Sequence, residues 1–204
     1  MSATKLALLA CGVAVLAPAA TPAMGQDAPA PVPLAERVVA GPMSGAAPSG
    51  AVSTFTTPAA LVAALDTDRP ASDRAALRAQ HFRGGALEHF GDGTKVIGMS
   101  LAVRTQTAAG ARALFARDRR QILDDAGGQS NAAVHPLRRI PVSLGFAERF
   151  VDHGTPLTFA GVAFADGPFY YLLTLGGPRS RVEARDIFDA AAALYARVHW
   201  HPAE

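Results

Sequence analysis

The chain has 204 residues, half of them hydrophobic and 18% charged, with a formal net charge of +2 at pH 7. That balance excludes a wholly disordered chain, which would carry fewer apolar residues and more net charge. It also argues against nucleic-acid binding, which calls for a concentrated basic face. The only clusters are Arg117, Arg119 and Arg120 on an expected helix and Arg138 and Arg139 in an expected loop, and both are read as solvated faces.

Residues 1–25 have the layout of a secretory signal peptide. Lys5 supplies the positive start, residues 6–17 form an apolar run, and Ala23-Met24-Gly25 offers small residues at the −3 and −1 positions. Cleavage is expected before Gln26, with Ala20 and Ala23 as alternative sites. The apolar run is short of the roughly 20 residues that a membrane span needs, so no transmembrane segment is expected in the mature chain. Leu8-Leu9-Ala10-Cys11 has a faint lipoprotein look, but the apolar run continues past Cys11, and lipidation is not expected. Cys11 is the only cysteine, so the mature protein would have no disulfide and no thiol chemistry. The expected location is secreted, periplasmic or cell-envelope.

Residues 26–56 are rich in Ala, Pro, Gly and Ser and read as a disordered tether, with a short strand at 35–40 as the alternative. A single domain is expected over 57–204. Thr57 followed by Pro58 is a sound helix start, and Leu61, Val62 and Leu65 give that helix a short apolar stripe. A second short helix is expected from about residue 72, with Leu77 and Phe82 facing inward and Gly84-Gly85 ending it. A hairpin follows: strands at 86–90 and 95–104 around Gly91-Asp92-Gly93. Ile97, Met99, Leu101 and Val103 alternate with smaller or polar residues, the pattern of a strand buried on one face. Thr107 then caps a long helix to about residue 125, with Ala111, Leu114, Phe115 and Ile122 inward. Residues 126–145 read as a loop and 146–151 as a strand.

The longest run of agreeing signals is 156–198. Asp166-Gly167 is a tight-turn pair between apolar strands at 157–165 and 169–176. Ser180 and Glu183 have the spacing of a capping box for a helix over about 181–198. Ile187, Phe188, Ala191, Leu194, Tyr195 and Val198 make its apolar stripe. Phe90-Gly91-Asp92-Gly93 and Phe164-Ala165-Asp166-Gly167 hold matching places in two hairpin-then-helix units, each helix expected across its own hairpin, with independent use of a common turn as the alternative. The fold class expected is α+β: an antiparallel sheet of about five strands with two long helices packed on it and one or two short N-terminal helices.

Residues 77–82 (Leu-Arg-Ala-Gln-His-Phe), a strand pair, residues 108–115, residues 140–146 and the closing helix at 190–198 together resemble the exported bacterial PsbP-like and LpqN-like domains and uncharacterised exported actinobacterial proteins of similar pattern. The resemblance spans about residues 57–198. It implies an antiparallel sheet flanked by helices and a non-enzymatic accessory or ligand-binding role, and it brings no catalytic residue.

Candidate chemistry is sparse. His199 and His201, if extended, would put two imidazoles on one side as a metal pair needs; the plainer reading is a frayed helix end. Glu88 and His89 on one strand, with Arg149, Asp152 and His153 at the end of another, are the polar groups expected on the sheet. Pro141-Val142-Ser143-Leu144-Gly145 lacks the first glycine of a nucleophile elbow. Met99, Phe159, Phe169, Tyr170 and Tyr171 would line an apolar pocket or simply form core. Tyr170 and Tyr171, being adjacent, point to opposite faces, so one of them is expected on the surface. These readings favour an exported, non-catalytic domain that binds a partner protein of the envelope or a small apolar ligand, with no cofactor. The first rival is a hydrolase with a site around His89, Arg149 and His153; the second is a structural envelope protein.

Overall fold

The computed structural model describes residues 32–91, 96–127 and 131–199. The expected signal peptide, Cys11, the turn residues 92–95 and His201 lie outside the described residues.

Among the described residues the protein is α+β, with eight strands and four helices in place of about five strands. The strands are β1 (Ala47–Pro48), β2 (Ser53–Phe55), β3 (Phe82–Gly91), β4 (Ile97–Thr105), β5 (Ala132–His135), β6 (Ser143–Asp152), β7 (Thr155–Asp166) and β8 (Phe169–Pro178). The helices are α1 (Pro58–Leu65), α2 (Pro70–Ala79), α3 (Ala108–Gly127) and α4 (Ala184–Val198). The strands form one antiparallel sheet in the order β1-β3-β4-β8-β7-β6-β5, with β2 also paired to β3. The extra strands are short edge pieces with little apolar alternation: β5 is Ala-Ala-Val-His, and β1 and β2 lie in the Pro- and Ser-rich stretch.

Local chemistry explains most element ends. Thr57 accepts from the Ala60 N–H at 3.2 Å and starts α1, and Thr107 accepts from the Gly110 N–H at 3.1 Å and starts α3. Gly167 takes a φ of +53° in the β7–β8 turn, which an L side chain resists. Two expected ends differ. Phe82, Gly84 and Gly85 belong to β3, because α2 stops at Ala79 and the strand needs those residues against β4. The capping box at Ser180 and Glu183 does not form. The Pro178 carbonyl takes the Arg181 and Val182 N–H groups, and α4 begins only at Ala184.

The sheet is covered on both faces, which is why its central strands are apolar at consecutive positions. Ile187, Ala191, Leu194 and Val198 of α4 are buried on one face, against Val162, Phe164, Tyr171 and Leu173. Leu61, Val62, Leu77, Ala111 and Leu114 of α1, α2 and α3 cover the other, against Leu87, Leu101, Val103 and Tyr170. The long helices therefore sit on opposite faces. α4 lies on its own hairpin; α3 touches β4 of its own hairpin but packs chiefly on β7 and β8. β4 is correspondingly buried on both sides: Leu101 and Val103 face α3, while Ser100 and Ala102 face the α4 layer.

Residues 32–55, inside the stretch whose composition suggests a tether, pack onto the sheet. Val38, Val39, Met43 and Ala46 are buried beside α4, and Arg37 is only 2% exposed. Arg37 donates to the Tyr171 hydroxyl at 2.8 Å, to the Val198 carbonyl at 3.1 Å and to the Val32 carbonyl at 3.1 Å, and its guanidinium lies 3.7 Å from the Phe169 ring centre. The Pro and Gly residues that suggested disorder shape an irregular path, and the few large residues between them anchor it.

Candidate functional site

Cross-strand partners share a face of a sheet, so the register fixes what the helices cover. On the α3 side one row runs Leu87, Leu101, Leu172, Ala163, Leu144, and the next runs His89, Met99, Thr174, Gly161, Phe146. A third runs Ile97, Gly176, Phe159, Glu148, Ala132. The first row is sealed by the helices. Over the second and third the cover opens, leaving a cavity of about 380 Å³ between the sheet and α1, α2 and α3. That size lies within the roughly 300–1,000 Å³ typical of small-molecule pockets.

The floor of the cavity rests on glycines. The Phe146 ring lies over Gly161, so close that a Cβ there would come within 2.2 Å of it, and the Phe159 ring lies over Gly176. The two rings are 5.9 Å apart between centres and tilted by 48°. Ile97 (71% exposed) and Phe159 (38%) flank Gly176, so the apolar lining continues outward at this end.

The helices add a polar cluster. Tyr170 donates to Asp118 Oδ2 at 2.5 Å. Arg117 is paired with Asp73, and Thr67 donates to the other oxygen of Asp73 at 2.5 Å. Arg117 Nε is 3.9 Å from Asp118 Oδ1, an ion-pair contact beyond hydrogen-bond reach. Burial raises the Asp118 pKa; the Tyr170 hydrogen bond and the Arg117 charge work against that rise, and the Asp73 charge adds to it. The Tyr170 hydroxyl is held well above its ordinary value, first by burial and then by the Asp118 charge.

A raised carboxyl pKa means that the folded chain binds the proton more tightly than the unfolded one. The associated stability is complete below the ordinary value of 3.8 and is lost as pH rises through the folded value, so ionised Asp118 costs stability at neutral pH. Asp118→Asn is accordingly expected to raise the denaturation midpoint at neutral pH, by a margin that shrinks as pH falls toward that value. A variant less stable than the parent at every pH would contradict this.

The residues singled out in the sequence separate into three groups. Met99, Phe159 and Tyr170 line the cavity. Tyr171 and Phe169 do not; they belong to the α4 layer, where Tyr171 stacks on Phe164 at 4.4 Å. Tyr170 and Tyr171 do face opposite ways, but both are buried, because both sheet faces are covered. His89, Arg149 and His153 are exposed and do not converge. β4, β8 and β7 lie between β3 and β6, about 19 Å at ordinary strand spacing. Alternation also sends Arg149 out of the face opposite to that of Glu148 and His89. This removes the arrangement that the hydrolase reading required. His199 lies beside Asp166, with Nδ1 to Oδ1 at 3.0 Å, and against the Tyr195 ring. Among the described residues no group of three or more His, Cys, Asp or Glu side chains is placed to hold a metal.

Sequence reading missed Asp73, Arg117 and Asp118. Arg117 and Asp118 sit in a charged run on α3, and Asp73 is 44 residues away from Arg117. Only the fold, which brings α2 within reach of the Arg117 side chain on α3, makes them one cluster.

No family model matches the chain. No curated protein matches it. Among solved structures it is similar to the extracellular domain of PknH from Mycobacterium tuberculosis, at 12% identity and a TM-score of 0.48 over 74% of this chain and 78% of that one. It is also similar to a structure from Bacteroides thetaiotaomicron, at 15% identity and a TM-score of 0.34 over 53% of this chain and 37% of that one. No helix among the described residues is long and apolar enough to cross a membrane.

Proposed function

We propose that this is an exported, non-catalytic domain that binds a small apolar ligand between its sheet and the α1–α3 layer. The supporting observation is the cavity: an apolar floor and walls, a volume suited to a small molecule, and one polar cluster to orient what enters. Export is supported by the N-terminal sequence alone, with its charged start, apolar run and small-residue cleavage pattern. A secreted or envelope location follows from the same signal.

An envelope protein as partner has less behind it. Phe150 and Val151 are exposed, but as strand neighbours they leave opposite faces of β6 and form no patch.

Thr174 points into the cavity from the middle row and is half-buried. Thr174→Trp is expected to fill the space with little change in stability. The purified protein should enhance the fluorescence of Nile red, a neutral apolar dye, and the variant should lose that enhancement. Equal enhancement by both proteins would mean that the dye, and the proposed ligand with it, does not use this cavity.

A further inference from the structure

The polar end of the cavity is asymmetric in what it offers. Asp73 is satisfied on both oxygens, by Arg117 and by Thr67. The Tyr170 hydroxyl has spent its proton on Asp118 Oδ2. Among the described residues Asp118 Oδ1 receives no hydrogen bond, and its nearest cation is Arg117 Nε at 3.9 Å. The cluster therefore presents one half-buried acceptor, while the Tyr170, Thr67 and Arg117 donors are engaged elsewhere. Charge leans the same way. The carboxylates of Asp73, Asp118 and Asp125 line the cavity against the guanidiniums of Arg69 and Arg117. Arg117 is held by Asp73, and Arg69 is exposed at the mouth, where water and salt screen it.

We propose that the cavity takes an amphiphile whose apolar body lies on Phe146 and Phe159 and whose hydrogen-bond-donating cationic head, in the simplest case a primary ammonium, is received by Asp118 Oδ1. This rests on the cavity being a ligand site and adds the chemistry of the head group. A bound ammonium would give Asp118 Oδ1 a hydrogen-bonded countercharge, which Arg117 at 3.9 Å does not supply, and a charge-assisted hydrogen bond is stronger than a neutral one. A carboxylate head would meet Asp118 with like charge.

The test is displacement of Nile red from the purified protein by decylamine, decanol and decanoate, which share a chain length and differ in the head. Decylamine is expected to displace the dye at a concentration at least about tenfold below that of decanoate, with decanol between them. Asp118→Asn should keep dye binding and bring the three probes within about threefold of one another. Arg69→Ala should leave the amine preference in place. Decanoate as the best ligand, its advantage falling in Arg69→Ala, would overturn the assignment in favour of the mouth arginine and leave the cavity reading standing. An amine preference that survives in Asp118→Asn would also overturn the assignment, because another group would then receive the head. If none of the three displaces the dye, the head-group assignment falls, while the Thr174→Trp comparison decides the cavity separately.

Discussion

Replacing Arg37 with Met is expected to lower stability by about 3–5 kcal/mol, the scale of removing one partner from a buried charged network. Met has similar bulk and can fill the site, so the loss would come from polar groups, not from a void. Three acceptors would be left without their donor: the Tyr171 hydroxyl and the carbonyls of Val32 and Val198. Burial pushes the Tyr171 hydroxyl up to about 12, against the pull of Arg37, so it remains protonated at ordinary pH. The Val198 carbonyl belongs to the last turn of α4, the negative end of the helix, where a cation is favoured. Arg37 also lies over Phe169 at 3.7 Å, a contact that Met does not reproduce in kind. In a chain of this size the melting temperature should fall by about 10 °C. Arg37→Lys keeps the charge but loses the planar fork, and should fall between the two. Urea denaturation followed by circular dichroism measures the effect, and a Met variant with the parent's midpoint would show that the guanidinium does not clasp residues 32–46 to the sheet.

Gly161→Ala is the second large effect, expected at about 2–3 kcal/mol from overpacking. The added Cβ would lie 2.2 Å from Phe146 Cζ and 2.7 Å from the Leu173 carbonyl oxygen. The ring can swing away; the carbonyl sits in the β7–β8 ladder and cannot without breaking it. Removing the ring should therefore restore only part of the loss. A double-mutant cycle with Phe146→Ala is expected to show favourable coupling, on the order of 1 kcal/mol, with a residual cost from the carbonyl. Gly176→Ala is the matched comparison: its Cβ would approach the Phe159 ring at 3.2 Å, a distance that a small ring shift relieves, so its cost should be well below that of Gly161→Ala. Equal costs for the two alanines would rule out the close ring and carbonyl contacts as the cause.

These contacts also show what the sequence could and could not convey. The β7–β8 hairpin and the α4 stripe were legible because their signals are local: Asp166-Gly167 marks the turn, and apolar residues at spacings of three and four mark the buried helix face. The Thr57 and Thr107 caps were legible for the same reason. Residues 32–46 were not, since Val38, Val39 and Met43 are scattered among residues whose composition reads as tether, and their burial depends on α4, about 150 residues further on. The placement of α3 and α4 on opposite faces was also hidden, because a strand buried on both sides and a strand with one wet face differ mainly in how far the helices reach. Met99, Phe159 and Tyr170 were named as possible pocket residues, but so were Phe169 and Tyr171, which alternation sends to the other layer. The cluster of Asp73, Arg117 and Asp118 had no sequence signal, because ion pairing between separate helices follows from tertiary packing.

The order of strands has a consequence for how the chain can be divided. β4 meets β8 along the whole stretch from Ile97↔Gly176 to Arg104↔Phe169, and this seam is the backbone joint between the β1–β4 half and the β5–β8 half. A fragment ending after α3 would bare the β4 edge, with its row of backbone donors and acceptors seeking other chains. It would also leave α3 without β7 and β8, the floor it chiefly rests on. Neither half is a module that evolution or an engineer can lift out, and whatever is learned of the cavity has to be learned on the undivided molecule.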